Sequence, residues 1–391
     1  MDKTVIANYF QRFGFCEQQI SPPPPAHLGI VVVVPCFDEP DLVGALDSLR
    51  RCESSSCNVE IIVVVNSGAD APKDVRARNR TAAEQARNFA HVIEMPDLPP
   101  KHAGVGLARK IGMDEALRRC ADVGRLEDGI IVNFDADCSC DPNYLKAIEA
   151  HFAAHRDTPG CTIYFEHPPG PADLYELHLR YYVQALRYAG HPYAFHTVGS
   201  CMAVRAQVYM EQGGMNKRKA GEDFYFLQKV IALGNYTDLL TTRVIPSPRA
   251  SDRVPFGTGK AVGDQLRGKP LLTYPLEAFE DLKTFFEDIP NPPSAMRDFL
   301  DSLGFERKLL EIRQNTASPE AFHARFFRWF NGFATMKYIH FARDHLYGAR
   351  PVAEEARKLP GLADEKDLLH AYRYLQRTQI YRINRGNFDD V

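Results

Sequence analysis

No apolar run in the 391-residue sequence is long enough to cross a bilayer; the longest aliphatic stretches, Ile30–Val34 and Ile61–Val65, fall far short of the ~20 residues a spanning helix needs. The opening MDKTVIANYF lacks the apolar core of a secretory signal, so a cytoplasmic protein is expected. An excess of one charge is missing too. The 47 Lys and Arg residues against 50 Asp and Glu leave a formal charge of −3. That balance excludes the basic footprint of a nucleic-acid binder, though not a local basic pocket for phosphates. A disulfide framework is absent: the nine cysteines are odd in number and none follows Cys201, which reads as reduced thiols. Cys138 and Cys140 form an isolated C-x-C with no second pair at finger spacing, so no structural zinc is expected. Tryptophan occurs once, at Trp329.

What is present supports a sizeable core. Hydrophobic residues make up 45% of the chain and aromatics 11%, and at about 150 residues per domain the length suggests two or three domains. Residues 1–27 read as an arm: Val5, Ile6, Tyr9, Phe10 and Phe13 fall at helical spacing, and Pro22–Pro25 then impose an extended spacer. Residues 28–270 alternate strand and helix patterns. Ile30–Val34 and Ile61–Val65 are β-branched runs without polar alternation, as in parallel strands buried on both faces. A short strand at His91–Met95 and another at Gly129–Phe134 follow, with helices between. This predicts a three-layer α/β domain with a mostly parallel sheet, whose ligands bind beyond the carboxyl ends of the strands. Residues 271–391 carry no further strand pattern and read as a helical extension. Its aromatic stripe, Phe322 to Phe333, opens at Ser318-Pro319 with an N-cap and a proline in the first turn.

The residues that follow the strands carry the chemistry. Val34-Pro35-Cys36-Phe37-Asp38-Glu39 ends the first strand; its acids also suit an ordinary helix start. Asp135-Ala136-Asp137 ends the fourth, where two carboxylates at i and i+2 either hold a hard divalent cation or cap the next turn. Gly104–Gly112 is not a dinucleotide fingerprint, since Arg109 stands where the third glycine belongs. It could still offer backbone N–H groups and Arg109 to phosphate oxygens. Glu222-Asp223 opens an apolar helix, either as caps or as a general base. Arg249, Arg253 and Lys260, in the 247–260 loop, either clamp a diphosphate or stand as solvated cations.

In order, V-P-C-F-D-E, G-L-A-R-K-I-G, D-A-D, G-S-C-M-A-V-R, then G-G with E-D seven residues later resemble the inverting family 2 glycosyltransferases of GT-A fold, over roughly residues 28–262. The resemblance implies a nucleotide pocket lined by Pro35, Cys36, Phe37 and Glu39, with Arg109 near the donor. It implies Asp135, Ala136 and Asp137 at the ribose and at a Mg²⁺ or Mn²⁺ ion, Asp137 being the direct ligand. It places Gly199, Ser200 and Arg205 in the strand before the acceptor loop, and Asp223 beside Glu222 as the catalytic base. Asn66 stands where the family carries an acid that meets the nucleobase, so this position leaves the base open; a UDP-sugar is the expected donor. The Q-x-x-R-W motif of processive synthases is absent, which implies single transfers. The acceptor is not legible. A lipid acceptor would put the protein at the periphery of the inner membrane, and the aromatic extension could serve as core, membrane-surface contact or homodimer contact. Two rival readings are a nucleotidyltransferase, which calls for a Gly-rich basic loop after the first strand, and a non-catalytic nucleotide-sugar-binding scaffold.

Overall fold

A computed structural model describes residues 3–253 and 257–379. It divides into two compact units. The first comprises the described residues up to Pro168, Thr197–Pro248 and Arg253; the second comprises Pro169–His196, Arg249–Asp252 and the described residues from Gly257 on. This differs from the 1–27, 28–270 and 271–391 division expected from sequence. The arm belongs to the first unit, and residues 169–196 join the helices of the second.

The first unit is built on strands β1 (Leu28–Cys36), β2 (Asn58–Gly68), β3 (His91–Leu98), β4 (Ile130–Asn133), β5 (Ser139–Cys140), β6 (Gly160–Phe165), β7 (Met202–Arg205) and β8 (Thr237–Ile245). They form one sheet in the order β3-β2-β1-β4-β7-β6-β8-β5. The β1–β2, β2–β3, β1–β4 and β6–β8 pairs are parallel. Strand β7 runs antiparallel to both β4 and β6, and β5 antiparallel to β8. The fold is therefore α/β with a large, mostly parallel sheet, as expected. Every residue of β1 is buried, which explains its unbroken apolar run.

Register decides what gathers at one edge. Ile30–Val33 pair with Ile130–Asn133, and the Phe134 N–H continues to the Val33 carbonyl at 3.0 Å. The carboxyl ends of β1 and β4 thus deliver Cys36–Glu39 and Asp135–Asp137 together. Asn133 pairs with Met202 across the antiparallel ladder, so Gly199 and Ser200 precede β7 at this same edge. Arg205 pairs with Ile130 at the opposite end.

The arm is held by polar groups of the helix Val105–Asp122. The Asp114 carboxylate accepts from the Tyr9 and Tyr209 hydroxyls, each at 2.7 Å, and pairs with Lys110 at 2.9 Å. Glu115 accepts from the backbone N–H groups of Gln19 and Ile20. Arg119 pairs with Glu60 and donates to the Pro22 carbonyl at 2.9 Å. Replacing Tyr209 by Phe deletes a hydroxyl–carboxylate hydrogen bond inside this network and is expected to cost roughly 1.5–3 kcal/mol. Chemical denaturation of Tyr209→Phe checks this; an unchanged midpoint would mean that the bond contributes nothing net.

In the second unit the aromatic stripe is largely interior. Phe326 and Phe330 are fully buried and stack with centroids 5.9 Å apart, while Phe322, Phe327, Trp329 and Phe333 are partly exposed. The Ser318 Oγ caps its helix by accepting from the Ala321 N–H at 3.2 Å, as expected. Two departures are small. Leu272–Thr273 and Arg350–Pro351 form a short antiparallel ladder where no strand was expected. The sequence pattern predicts a helix over 364–381; the last described helix spans Leu368–Thr378, starting four residues later, and Tyr381 lies outside the described residues. Among the described residues no helix is long and apolar enough to cross a membrane.

Candidate active site

Three segments converge on Arg109. Its Nη2 donates to Asp135 Oδ1 at 2.5 Å, and its Nη1 donates to Glu222. Arg109 is 4% exposed and Glu222 is 1% exposed. Burial alone would lower the guanidinium's pKa, but Asp135, Glu222 and Asp223 outweigh it and the net shift is upward. Truncating one partner of such a buried pair leaves an unpaired charge, which typically costs ~3–5 kcal/mol.

Asp223 follows Glu222 at the start of the helix Glu222–Ile231, behind Gly221 in the left-handed region at φ +72°. Its side chain is half-buried, and Oδ1 accepts from the Phe224 N–H at 2.7 Å. Burial, and next the neighbouring Glu222 carboxylate, push the Asp223 carboxyl up to about 7, against the downward pull of Arg109. The group is therefore near half-ionised at neutral pH, where a base both accepts and releases protons readily.

The glycine segment does something other than the expected phosphate cradle. A Cβ on Gly106 would run into the Arg218 carbonyl and the Glu222 side chain, and one on Gly112 into Val33 and Val64. These glycines let the helix Val105–Asp122 lie close against the sheet and the segment before Glu222. That close approach seats Arg109 between Asp135 and Glu222.

The end of β1 is pinned by Arg78 and Asn79, which the sequence did not mark, and by Arg253, which it did. Asp38 takes φ +51°, uncommon for a side-chain-bearing residue. Arg78 grips its carboxylate with Nε at 2.5 Å and Nη2 at 3.2 Å, while its N–H donates to Asn79 Oδ1 at 2.8 Å. Glu39 is turned inward: its carboxylate accepts from the Asp41 N–H at 3.0 Å and pairs with Arg253 Nη1 at 3.2 Å. Arg253 also donates to the Phe37 carbonyl at 2.8 Å, and its Nη2 lies 3.9 Å from Asp137 Oδ2. A cation thus spans the ends of β1 and β4.

The other expected residues fall as follows. Phe37 is 37% exposed, an open ring at the strand end. Pro35 and Cys36 are buried, and burial, then Glu39, push the Cys36 thiol up to about 12, so it stays protonated. Asn66 is buried and gives its amide N–H to the Gly104 carbonyl at 3.2 Å. Ala136 and Ser200 are buried, and the Ser200 hydroxyl lies 3.3 Å from Cys201 Sγ. Arg205 is a loop clamp at the far end of the sheet, donating to the carbonyls of Phe152, His155, Arg156 and Thr158. Arg249 and Lys260 belong to the second unit, where Lys260 pairs with Asp264 at 3.1 Å and Asp252 at 3.5 Å. Among the described residues no three His, Cys, Asp or Glu side chains gather to hold a metal ion on their own.

Residues 31–213 match the model of the family described as Glycosyl transferase family 2. No curated protein matches the chain. Among solved structures, TarS 1-349 of S. aureus in complex with UDP-GlcNAc is similar at 13% identity and a TM-score of 0.45, with 82% of this chain and 93% of that one covered. The mannosyltransferase PcManGT of Pyrobaculum calidifontis, in complex with GDP-Man and Mn²⁺, shares 17% identity over 97% of this chain and 92% of its own, at a TM-score of 0.41. A longer TarS structure is covered over only 37% of its length. The family match spans the converging strand ends and most of the residues gathered there, so residues 31–213 are similar to family 2 glycosyltransferases.

Proposed function

We propose that the chain transfers a sugar from a nucleoside-diphosphate donor to an acceptor hydroxyl, inverting the anomeric centre and releasing the product after each transfer. The observation that carries this reading is the partly buried Asp223, with its raised pKa, in one charge network with the D-A-D carboxylate Asp135. Asp223 takes the acceptor's proton as the new C–O bond forms and the bond to the diphosphate breaks. Partial exposure lets that proton pass on to water. Displacement from the side opposite the leaving group inverts the centre.

The donor set suits a divalent cation. Asp137 offers a hard carboxylate with its side chain 30% exposed, beside the Arg253 guanidinium at 3.9 Å, whereas one oxygen of Asp135 is committed to Arg109. One protein carboxylate, with water and phosphate oxygens completing the shell, is how Mg²⁺ and Mn²⁺ are commonly held. When bound, the ion supplies charge neutralisation for the leaving diphosphate. Asp137 holds it, Asp135 faces the ribose, and Arg253 brings a second positive charge to the diphosphate. The exposed Phe37 ring offers a face to the base, and a UDP-sugar is the first donor to test.

The test is a thermal-shift panel of UDP, GDP, CDP, dTDP and ADP, each with and without Mn²⁺. A ligand at ~100 times its dissociation constant adds ~2.7 kcal/mol, a shift of several degrees in a chain of this size. A cation-dependent shift with one nucleotide is expected. No shift with any of them overturns the donor site.

A further inference from the structure

Arg109 is closed in from several sides. Both its terminal nitrogens are engaged, by Glu222 and by Asp135, and its Nε is buried. On another side lies Gly199, where an added Cβ would come within 2.5 Å of the guanidinium carbon and both terminal nitrogens. To reach a diphosphate, this guanidinium would have to break two charge-assisted bonds to buried or half-buried carboxylates. The expected donor-binding role therefore conflicts with its surroundings.

We infer that Arg109 is a positioning residue, an internal counter-ion that pairs with Glu222 beside the base and ties the base's helix to the D-A-D loop, and that Glu222 is its partner in that task and not a second base. This rests on the reading of Asp223 as the base. Glu222 is too buried to meet an acceptor, and its carboxylate faces Arg109. Its backbone carbonyl accepts from Asn216 Nδ2 at 2.9 Å, which fixes the first turn from the other side. The bridge thereby sets both where Asp223 stands and the charge it feels. The charged groups that act on Asp223 are Glu222 on its own helix, Arg109 on the helix Val105–Asp122, and Asp135 at the end of β4. The two acids raise its pKa and Arg109 lowers it.

The sign of the effect follows. A base works when ionised, so the rate climbs with pH through the Asp223 titration. Glu222→Gln removes one raising charge while its amide oxygen still accepts from Arg109, so the acid limb of the rate profile moves to lower pH, on the order of one unit. Arg109→Lys keeps the charge but loses the two-pronged grip, so kcat falls while UDP affinity with Mn²⁺, measured by titration calorimetry, changes less than about threefold. The rate is read as UDP release from a UDP-sugar, with water as acceptor.

A limb that shifts in Glu222→Gln, with UDP affinity retained in Arg109→Lys, supports the bridge. A limb that stays fixed, or UDP affinity lost tenfold or more in Arg109→Lys, overturns it. Glu222→Gln carries the test if the lysine variant fails to fold, because a merely structural glutamate would change the melting temperature and leave the pH limb in place. The base reading itself fails separately. If Asp223→Asn keeps the same acid limb, the titrating group is another residue, whatever Arg109 does.

Discussion

Replacing Asp223 by asparagine is expected to lower turnover ~10²–10⁴-fold, the usual contribution of a positioned general base. At 25 °C that corresponds to about 2.7–5.4 kcal/mol of transition-state stabilisation. The amide is nearly isosteric, and its oxygen can still accept from the Phe224 N–H. It removes a carboxylate that Glu222 and Asp135 repel, so the melting temperature should hold or rise slightly. Donor binding should be retained, because nothing in the substitution touches Asp137 or Arg253. The loss therefore appears in kcat with KM for the donor nearly unchanged, as for a group acting only in the transition state. The wild-type profile carries a matching signature. With the Asp223 carboxyl pushed up to about 7 by burial and by Glu222, the rate should fall about tenfold per unit below that pH and level off above it. Full turnover in Asp223→Asn would remove Asp223 from the reaction.

How far the sequence reveals such a site depends on how each residue acts. Strands β1 and β2 are legible because burial on both faces leaves nothing but apolar residues in Ile30–Val34 and Ile62–Val65. The D-A-D and E-D acids are legible because their order along the chain resembles a family. Strand β7 is placed by the same resemblance, since its four residues give no period, but its antiparallel pairing with β4 is a tertiary choice that no local pattern shows. Arg253 is a candidate from its basic loop, but its pairing with a glutamate 214 positions away leaves no local pattern. Asp38 reads as one of a pair of helix-start acids, yet Arg78 and Asn79 hold it in a left-handed turn. Gly106 and Gly112 suggest a phosphate loop because glycine spacing cannot distinguish backbone offered to a ligand from backbone pressed against Val33 and Glu222. Arg205 follows a small-residue strand that does reach the site, but β7 carries it to the far edge of the sheet.

Removing the Asp137 carboxylate should abolish the Mn²⁺-dependent part of nucleotide binding. In the thermal-shift panel, the increment that Mn²⁺ adds to the nucleotide's effect should fall from several degrees to under about one degree in Asp137→Ala. The expectation is specific to Asp137 because the two acids of D-A-D differ in surroundings. Asp135 is held at 2.5 Å by a guanidinium that is itself buried, so its truncation would strip Arg109 of a counter-ion and lower stability as well. Asp137 is not tied to that buried guanidinium, so its loss should strip Arg109 of no counter-ion. The variant also separates loss of the cation from collapse of the pocket. With Asp137 gone, Arg253 keeps Glu39 and the Phe37 carbonyl, so one negative charge has left the place proposed for the diphosphate. Nucleotide binding without Mn²⁺ should therefore persist or strengthen slightly in Asp137→Ala. A variant that keeps the full Mn²⁺ increment would show that the ion binds elsewhere. Loss of the Mn²⁺-free binding as well would mean that Asp137 shapes the pocket and does not merely hold a cation in it.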